Sequence, residues 1–567
     1  MFKSYYHNTS AEPFVYRNVG EQLDLMCKEY PDRECLVFCA EKKRFTYAAL
    51  HNDVTKFAQI LLSLGFDVGD RLGVWLPTTS ENICVTLAAA KVGLIKVNLN
   101  PTLTARELKD FLLLSGCRGL IFQKQVKSVD DCWSQLNILS ATLQSCEPGD
   151  LRDPDLPSLQ HVILVSQDEQ IEYSVPGVHV LQKIMVTSSP EDVLERQNLV
   201  ECESPACIFF TSGTTGQPKA SAISHFTIVN EINQSWGTDC DQFYERLCVP
   251  VPIYFIYGYM NATMHILSII RPTCIIYPWS LPTSDIAHLT EVIHNERCTA
   301  LLGVPTILFD LMQYKRQHEC DFKSLQLVIL SGAPVSAAFI QRIESELETP
   351  YVAQVYGQTE SGRIATTSFV PTDCPRQRYE SMGKCVPRRE IKIIDVNSKR
   401  IVPLGETGEI CTRSFHTMCG YWSNEQKTRE VIDNTQWMHT GDLGALDADG
   451  CLYFRGRVKD MIIRGGINIF AFDIETCLEQ HDAIQKAQVF GIPDERLGEI
   501  VCAFVITKRE IDEQELRIFL QKHLAYFKIP KYIRPIDVFP VTINGKIQKF
   551  KLSAIMQQLL SNEDNRT

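Results

Sequence analysis

Thr211-Ser-Gly-Thr-Thr-Gly-Gln-Pro-Lys219 is the stretch whose reading decides the fold. Two glycines, four hydroxyl side chains and one lysine fall within it. Glycine lets a backbone turn sharply and approach a ligand, so that its N–H groups point at an anion. The hydroxyls add donors, and Lys219 supplies a point charge, so the composition suits a loop wrapped around a polyphosphate. It is not a Walker A loop, because the Gly-Lys-Ser/Thr ending is missing. Alone, the stretch also fits a Ser/Gly-rich surface turn. The residues around it argue against that reading.

On either side of the loop, helical patterns alternate with short β-branched runs. Val54 to Leu64 reads as an amphipathic helix, followed by a strand at Arg71 to Leu76. Ile83 to Val92 reads as a buried helix and Gly119 to Phe122 as a strand. Glu291 to His294 and then Cys298 to Leu302 repeat the rhythm, and Leu325 to Leu330 runs straight into Ser331-Gly-Ala-Pro334. Strands that alternate with helices imply parallel sheets in an α/β architecture. Pro148 to Pro157, rich in Pro, Asp and Gly, is expected to be an exposed loop. Beyond Gly405-Glu-Thr-Gly-Glu-Ile410 the strands shorten, and the last hundred residues read as an α+β unit with a helix near Glu513 to Leu524. The expected fold is α/β: a large N-terminal domain of layered sheets and helices over 1–457, a hinge at 458–460, and a small mobile α+β domain over 461–567.

A chain of 567 residues is too long for one core. Its 45% hydrophobic and 22% charged content is that of an ordinary globular protein. A net charge of −12 argues against a general nucleic-acid binder, whose phosphate contacts need a basic surface. The 21 cysteines include no Cys-x-x-Cys pair, so they read as reduced, mostly buried thiols in an intracellular setting. The N-terminus Met1-Phe-Lys-Ser-Tyr-Tyr-His-Asn8 shows neither an apolar signal region nor a legible mitochondrial presequence. The apolar run Ile83 to Val97 is broken by Lys91 and Lys96 and is too short to span a bilayer, so no transmembrane segment is expected. Oligomeric state stays open.

Further pieces follow the loop in a set order: Tyr356-Gly-Gln-Thr-Glu360, Thr440-Gly-Asp442, Gly456-Arg457 leading into Lys459-Asp-Met-Ile-Ile-Arg-Gly-Gly466, and Ile543-Asn-Gly-Lys-Ile-Gln-Lys549. With these, nearly the whole chain resembles the adenylate-forming superfamily of acyl-CoA synthetases, luciferases and peptide-synthetase adenylation domains. Asp460 to Gly466, Phe527-Lys-Ile-Pro-Lys531 and Gly545-Lys-Ile-Gln-Lys-Phe-Lys551 carry a closer resemblance to medium-chain fatty acid–CoA ligases.

The resemblance implies two steps. A carboxylate attacks the α-phosphate of ATP to give acyl-AMP and pyrophosphate, and the thiol of coenzyme A then displaces AMP. It assigns Thr211, Ser212, Gly213, Thr214, Thr215, Gly216, Gln217, Pro218 and Lys219 to the β- and γ-phosphates. Glu360 would ligate Mg²⁺ and Thr359 would donate to the α-phosphate. Tyr356 would stack on adenine, flanked by Gly357 and Gln358, with Gly332 and Ala333 as backbone neighbours of the base. Asp442 would accept the ribose hydroxyls, supported by Arg457. Lys546 would bridge carboxylate and α-phosphate, and Lys459 would be the pivot that exchanges Lys546 for a coenzyme A tunnel. Gly465 and Gly466 would let backbone approach the pantetheine arm, although a plain turn explains them as well.

Some positions depart from the family pattern. Ala220 stands where relatives often have glycine, Phe255 where histidine is usual, Ile467 for a common glutamate and Ala471 for a common proline. The segment Ile253 to Met264, with Phe255 at an acyl entrance and Gly258 leaving room for the chain, reads either as an acyl tunnel or as core. Arg363 faces substrate or solvent, and the sequence does not choose between them. His225 and His439 are read as structural, because an ionised acid needs no general base. The leading expectation is an ATP-dependent fatty acid–CoA ligase acting on small molecules. A ligase for an aryl or other acid, or a degenerate paralogue that binds nucleotide or lipid without turnover, are the alternatives. The resemblance implies the mitochondrion, with the cytosol as the alternative.

Overall fold

The run Arg71–Trp75 is buried along four of its five residues, as a central parallel strand requires, and it pairs in parallel with Ile95–Asn98 and Gly119–Gln123. The crossover helix Ser80–Lys91 is buried all round, every residue except Glu81 being buried. Thr79 caps it by accepting the Asn82 N–H. The computed structural model describes residues 3–123, 132–166, 175–212, 218–234, 243–281, 285–333, 335–366, 374–465, 467–541 and 547–564.

Two large sheets follow from such units. One has eight strands, in the order Gly420–Tyr421, Pro218–Ser224, Pro205–Ser212, Ile95–Asn98, Arg71–Trp75, Gly119–Gln123, His161–Val165 and Val178–Val180. The other has nine, in the order Lys384–Cys385, Gly362–Thr366, Tyr351–Gln358, Leu327–Leu330, Ala300–Gly303, Arg246–Cys248, Cys274–Tyr277, Glu34–Phe38 and Lys43–Thr46. In the second sheet Ala300–Gly303, Leu327–Leu330 and Tyr351–Gln358 run parallel. Their carboxyl ends open onto Ser331 to Ala333 and Gly357 to Glu360, the edge where open α/β sheets hold ligands.

The chain forms two compact units, His7–Glu390 with Thr412–Met438, and Met1–Tyr6 with Ile391–Cys411 and His439–Thr567. The chain passes between them more than once, so no single cut in the sequence separates them. The second unit contributes to a five-stranded sheet ordered Tyr5–Asn8, Arg389–Ile394, Gly408–Ser414, Met438–Leu446 and Leu452–Arg457. Its C-terminal part pairs Ile484–Asp494 along its length with Gly498–Thr507, over a core of Ile474, Leu478, Val489, Val501, Leu516 and Leu520.

The α/β class is the one expected, and two local readings change. The helix expected from Val54 spans Tyr47–Ser63, because Thr46 caps it by accepting the Ala49 N–H. Pro148 to Pro157 is irregular but not simply exposed, since Leu151 and Leu156 are buried in the core beside the eight-stranded sheet. No disulfide is formed among the described cysteines, most of which are buried.

Candidate functional site

The segment 213–217 joins two paired strands. Pro205–Ser212 and Pro218–Ser224 run antiparallel, with Thr211 opposite Lys219 and Ser212 opposite Pro218. Gly213, Thr214, Thr215, Gly216 and Gln217 connect these ends and lie outside the described residues. Residues directly opposed in an antiparallel pair share a face of the sheet, so the register puts the Thr211 and Lys219 side chains on one side. The Lys219 ammonium lies 5.1 Å from the centre of the Tyr421 ring, and Tyr421 sits opposite Ser221 on the next strand.

Glu360 closes this group. Its Oε1 accepts from the Thr211 hydroxyl at 3.1 Å and from the Tyr421 hydroxyl at 3.0 Å. Its own carbonyl accepts the Met418 N–H at 2.9 Å, which fixes the turn that carries it. Burial, with the Glu360 carboxylate beside it, pushes the Tyr421 hydroxyl far above its ordinary pKa, so it remains a donor. The structure thus brings Thr211, Lys219 and Glu360 together and adds Tyr421, which sequence reasoning missed. Ala220 is buried opposite Phe210 in a regular strand and its carbonyl accepts the Trp422 N–H at 2.7 Å, so the extra methyl meets no left-handed backbone.

Around the strand ends, Tyr356 is buried in Tyr351–Gln358, while Gly332 and Ala333 are exposed just beyond Leu327–Leu330. Gly332 has φ +92, a conformation that calls for glycine. At Gly357 a Cβ would stand 2.4 Å from the Gly362 carbonyl oxygen, so the turn bearing Gln358, Thr359 and Glu360 closes only on glycine. Arg363, left between substrate and solvent by the sequence, does not face solvent: it is 4% exposed. With Arg389 it offsets the buried Glu231, whose carboxyl burial pushes up. Arg389 donates to the Ser361 carbonyl at 2.7 Å and to Thr412 at 2.8 Å, so a buried guanidinium anchors the residue after Glu360. His225 is buried, held neutral with a pKa lowered to about 4, and accepts the Val19 N–H, in keeping with a structural role.

The segment proposed for acyl binding has a compact interior. Tyr257 donates to the carbonyls of Gly303 and Ile329 at 3.1 and 2.9 Å. A Cβ on Gly258 would lie 2.3 Å from the Pro252 carbonyl oxygen, so glycine is required there by the chain's own backbone. Phe255 is partly exposed and precedes the helix Ile256–Met260.

In the second unit, Met438–Leu446 and Leu452–Arg457 pair so that Asp442 faces Arg457, with Arg457 Nε 3.4 Å from the Asp442 carboxylate. Asp442 is 5% exposed, and its N–H donates to Thr440 Oγ1, whose hydroxyl donates to the Ile410 carbonyl at 2.7 Å. Lys459 is exposed in the short turn Val458–Asp460. Gly465 turns the chain between Ile462–Arg464 and Ile467–Ile469 with φ +57 and donates to the Leu497 carbonyl. Ile467 is exposed, and Ala471 is the first residue of the helix Ala471–Glu479, a position equally suited to proline. Gly466 and Lys546 lie outside the described residues.

Comparison with known families makes this α/β scaffold that of an adenylate-forming enzyme. The signature described as AMP-binding enzyme matches residues 23–422, and that of the AMP-binding enzyme C-terminal domain matches 473–546. The chain therefore belongs to the AMP-binding enzyme family. It is 34% identical, over 98% of its length and 90% of the relative's, to the medium-chain acyl-CoA ligase ACSF2, mitochondrial, of Rattus norvegicus. Among solved structures, the amide bond synthetase McbA from Marinactinospora thermotolerans superposes with a TM-score of 0.79 at 24% identity, covering 95% of this chain and 99% of that one. The anthranilate CoA ligase AuaEII in complex with anthranoyl-AMP gives 0.77 at 22% identity, covering 97% and 99%. At those identities the structures speak for the fold alone.

Proposed function

We propose that the chain is an ATP-dependent, AMP-forming ligase that joins a fatty acid, of medium chain length, to coenzyme A. One observation carries this reading: the Thr211 and Tyr421 hydroxyls, from distant parts of the sequence, both donate to Glu360 Oε1, and the Lys219 ammonium lies over the Tyr421 ring. The 34% identity to a medium-chain acyl-CoA ligase supports the choice of acid.

The chemistry explains these residue types. A free carboxylate is a poor acyl donor, because its leaving group would be oxide. Joined to AMP, it leaves a phosphate monoester behind when a thiol attacks. The first step drives one anion onto another, so the site needs positive charge and aligned donors where charge develops. Both hydroxyls on Glu360 fall on Oε1, leaving Oε2 to a cation, and the oxygen-only donor set fits Mg²⁺. When bound, that ion supplies neutralisation of the polyphosphate. Lys219 adds a second positive charge on the same face, and Thr359 donates to the α-phosphate. Tyr356, Gly332 and Ala333 receive adenine, and Asp442 the ribose hydroxyls. Lys546 spans carboxylate and α-phosphate in the first step. Lys459 is the pivot for the second, in which Gly465 and Gly466 pass the pantetheine arm and Phe255 shapes the acyl entrance. The relative's name also makes the mitochondrion the proposed compartment, which imaging of a tagged full-length chain checks.

The test is product formation. The purified protein with ATP, Mg²⁺ and coenzyme A should convert saturated acids of intermediate length to thioesters, detected by mass spectrometry, faster than short, long or aromatic acids. A preference for aromatic acids would replace the proposed substrate class. Nucleotide binding without any thioester would mark a paralogue that has lost turnover.

A further inference from the structure

A second cluster of chemical side chains lies away from the groups assigned to the reaction. On Gly408–Ser414, Glu409 and Cys411 are two residues apart and so project from the same face. His439, on the neighbouring strand Met438–Leu446, reaches both. Its Nδ1 is 3.2 Å from Glu409 Oε2 and 3.5 Å from Cys411 Sγ, and one ligand atom from each residue lies within 4.8 Å of the others. We infer that Glu409, Cys411 and His439 form a three-ligand site for a borderline-soft divalent cation of the Zn²⁺ class.

Three features support this. Zinc bonds of about 2.0–2.3 Å arranged tetrahedrally set neighbouring ligand atoms roughly 3.3–3.7 Å apart, which brackets or nearly meets both contacts here. The donors are one carboxylate, one thiolate and one imidazole, whose two negative charges balance a divalent ion. The thiolate selects against Mg²⁺, which demands oxygen, and so separates this cluster from Glu360. Cys411 is fully buried and the Glu409 side chain is 8% exposed, so the first two ligands are held rigidly, while His439 remains partly open to solvent. The Lys399 ammonium also lies 3.4 Å from Glu409 Oε2, but its side chain is 58% exposed and free to withdraw. On binding, the Cys411 thiol gives its proton to solvent, the imidazole contributes a lone pair, and the fourth position is left to water.

The site grips the strands that carry Asp442. Ile410, between two of the ligands, accepts the Thr440 hydroxyl, and Thr440 in turn accepts the Asp442 N–H. An ion at this site therefore stiffens the backbone on which Asp442 is mounted, whatever acid the protein uses.

The experiment titrates chelator-stripped full-length protein with Co²⁺ as a spectroscopic substitute and then displaces it with Zn²⁺. Expected are one ion per chain, a thiolate-to-cobalt charge-transfer band that Cys411→Ser abolishes, and no displacement by excess Mg²⁺. Glu409→Gln and His439→Gln, which keep the thiol, should each weaken Co²⁺ binding at least about tenfold, the usual range for perturbing a site's ligands and their supports. Circular dichroism checks that each variant is folded, and the latter two carry the test where Cys411→Ser does not fold. A band undiminished in Cys411→Ser would assign it to another of the 21 cysteines, and unchanged affinity in the other two would leave the cluster as a hydrogen-bonded trio; either overturns the site.

Discussion

The hairpin Pro205–Ser212/Pro218–Ser224 and the strand pair Met438–Leu446/Leu452–Arg457 both mount motif residues opposite each other across an antiparallel register. They differ in what happens to the charge. At the hairpin, Lys219 faces a threonine and an aromatic ring, and among the described residues it makes no ion pair. At the other pair, Arg457 lies 3.4 Å from Asp442. A cation left without a carboxylate is available to an anionic ligand, whereas an internal pair holds its members in place and offers their remaining lone pairs and donors to neutral groups such as hydroxyls. Under the proposed function, the same device, cross-strand register, would serve a polyphosphate in one place and a sugar in the other.

That contrast can be broken by mutation. Lys219→Ala should lower kcat/KM for acyl-AMP formation by about 10²- to 10³-fold, the usual cost of deleting a group that meets developing charge. Arg457→Ala should cost far less, because half of its task is internal. Equal losses in the two variants would erase the distinction. Asp442→Asn should raise the KM for ATP by about tenfold to a hundredfold, the range for a hydrogen bond to a charged group, with a smaller change in kcat. An unmoved KM with a collapsed kcat would remove Asp442 from ribose recognition. Tyr421→Phe deletes one of two hydroxyls on Glu360 and should lower the adenylation rate by about fivefold, corresponding to roughly 1 kcal/mol. A variant as active as the parent would reduce Tyr421 to packing. The smallest effect is expected at Gly465→Ala: φ +57 is strained for alanine, yet the nearest side-chain atom, Leu497 Cδ2, would be 3.6 Å from the new methyl. Urea unfolding should report a loss of about 1–2 kcal/mol with adenylation unchanged. A larger loss would mean that the turn tolerates no methyl for steric reasons.

Sequence patterns were readable where the signal is local. The short, largely apolar runs at Arg71, Gly119 and Leu327 form strands, and the largely apolar run from Ile83 forms a buried helix. The start of Tyr47–Ser63 is set by its cap, Thr46, a signal that the apolar stripe from Val54 does not carry. The acidic turn at Glu360 was legible from its motif, but its partner Tyr421 was not, since 61 residues separate them and Gly420-Tyr421 carries no signature of its own. Arg363 could not be placed for a related reason. Its buried surroundings come from Glu231 and Arg389, remote residues that only the nine-stranded sheet and its neighbours assemble. At Gly258 the sequence leaves acyl tunnel and core both open, and the close approach of the Pro252 carbonyl oxygen that a Cβ would meet is a contact no local pattern reports.

In the proposed reaction, the group around Thr211, Lys219 and Glu360 lets a carboxylate capture AMP from ATP. Isotope exchange between radioactive pyrophosphate and ATP measures that step without coenzyme A. Expected is label in ATP that depends on both Mg²⁺ and a fatty acid and that falls by about two orders of magnitude or more in Lys219→Ala. Folded protein that binds ATP yet returns no label with any acid in a broad panel would contradict it.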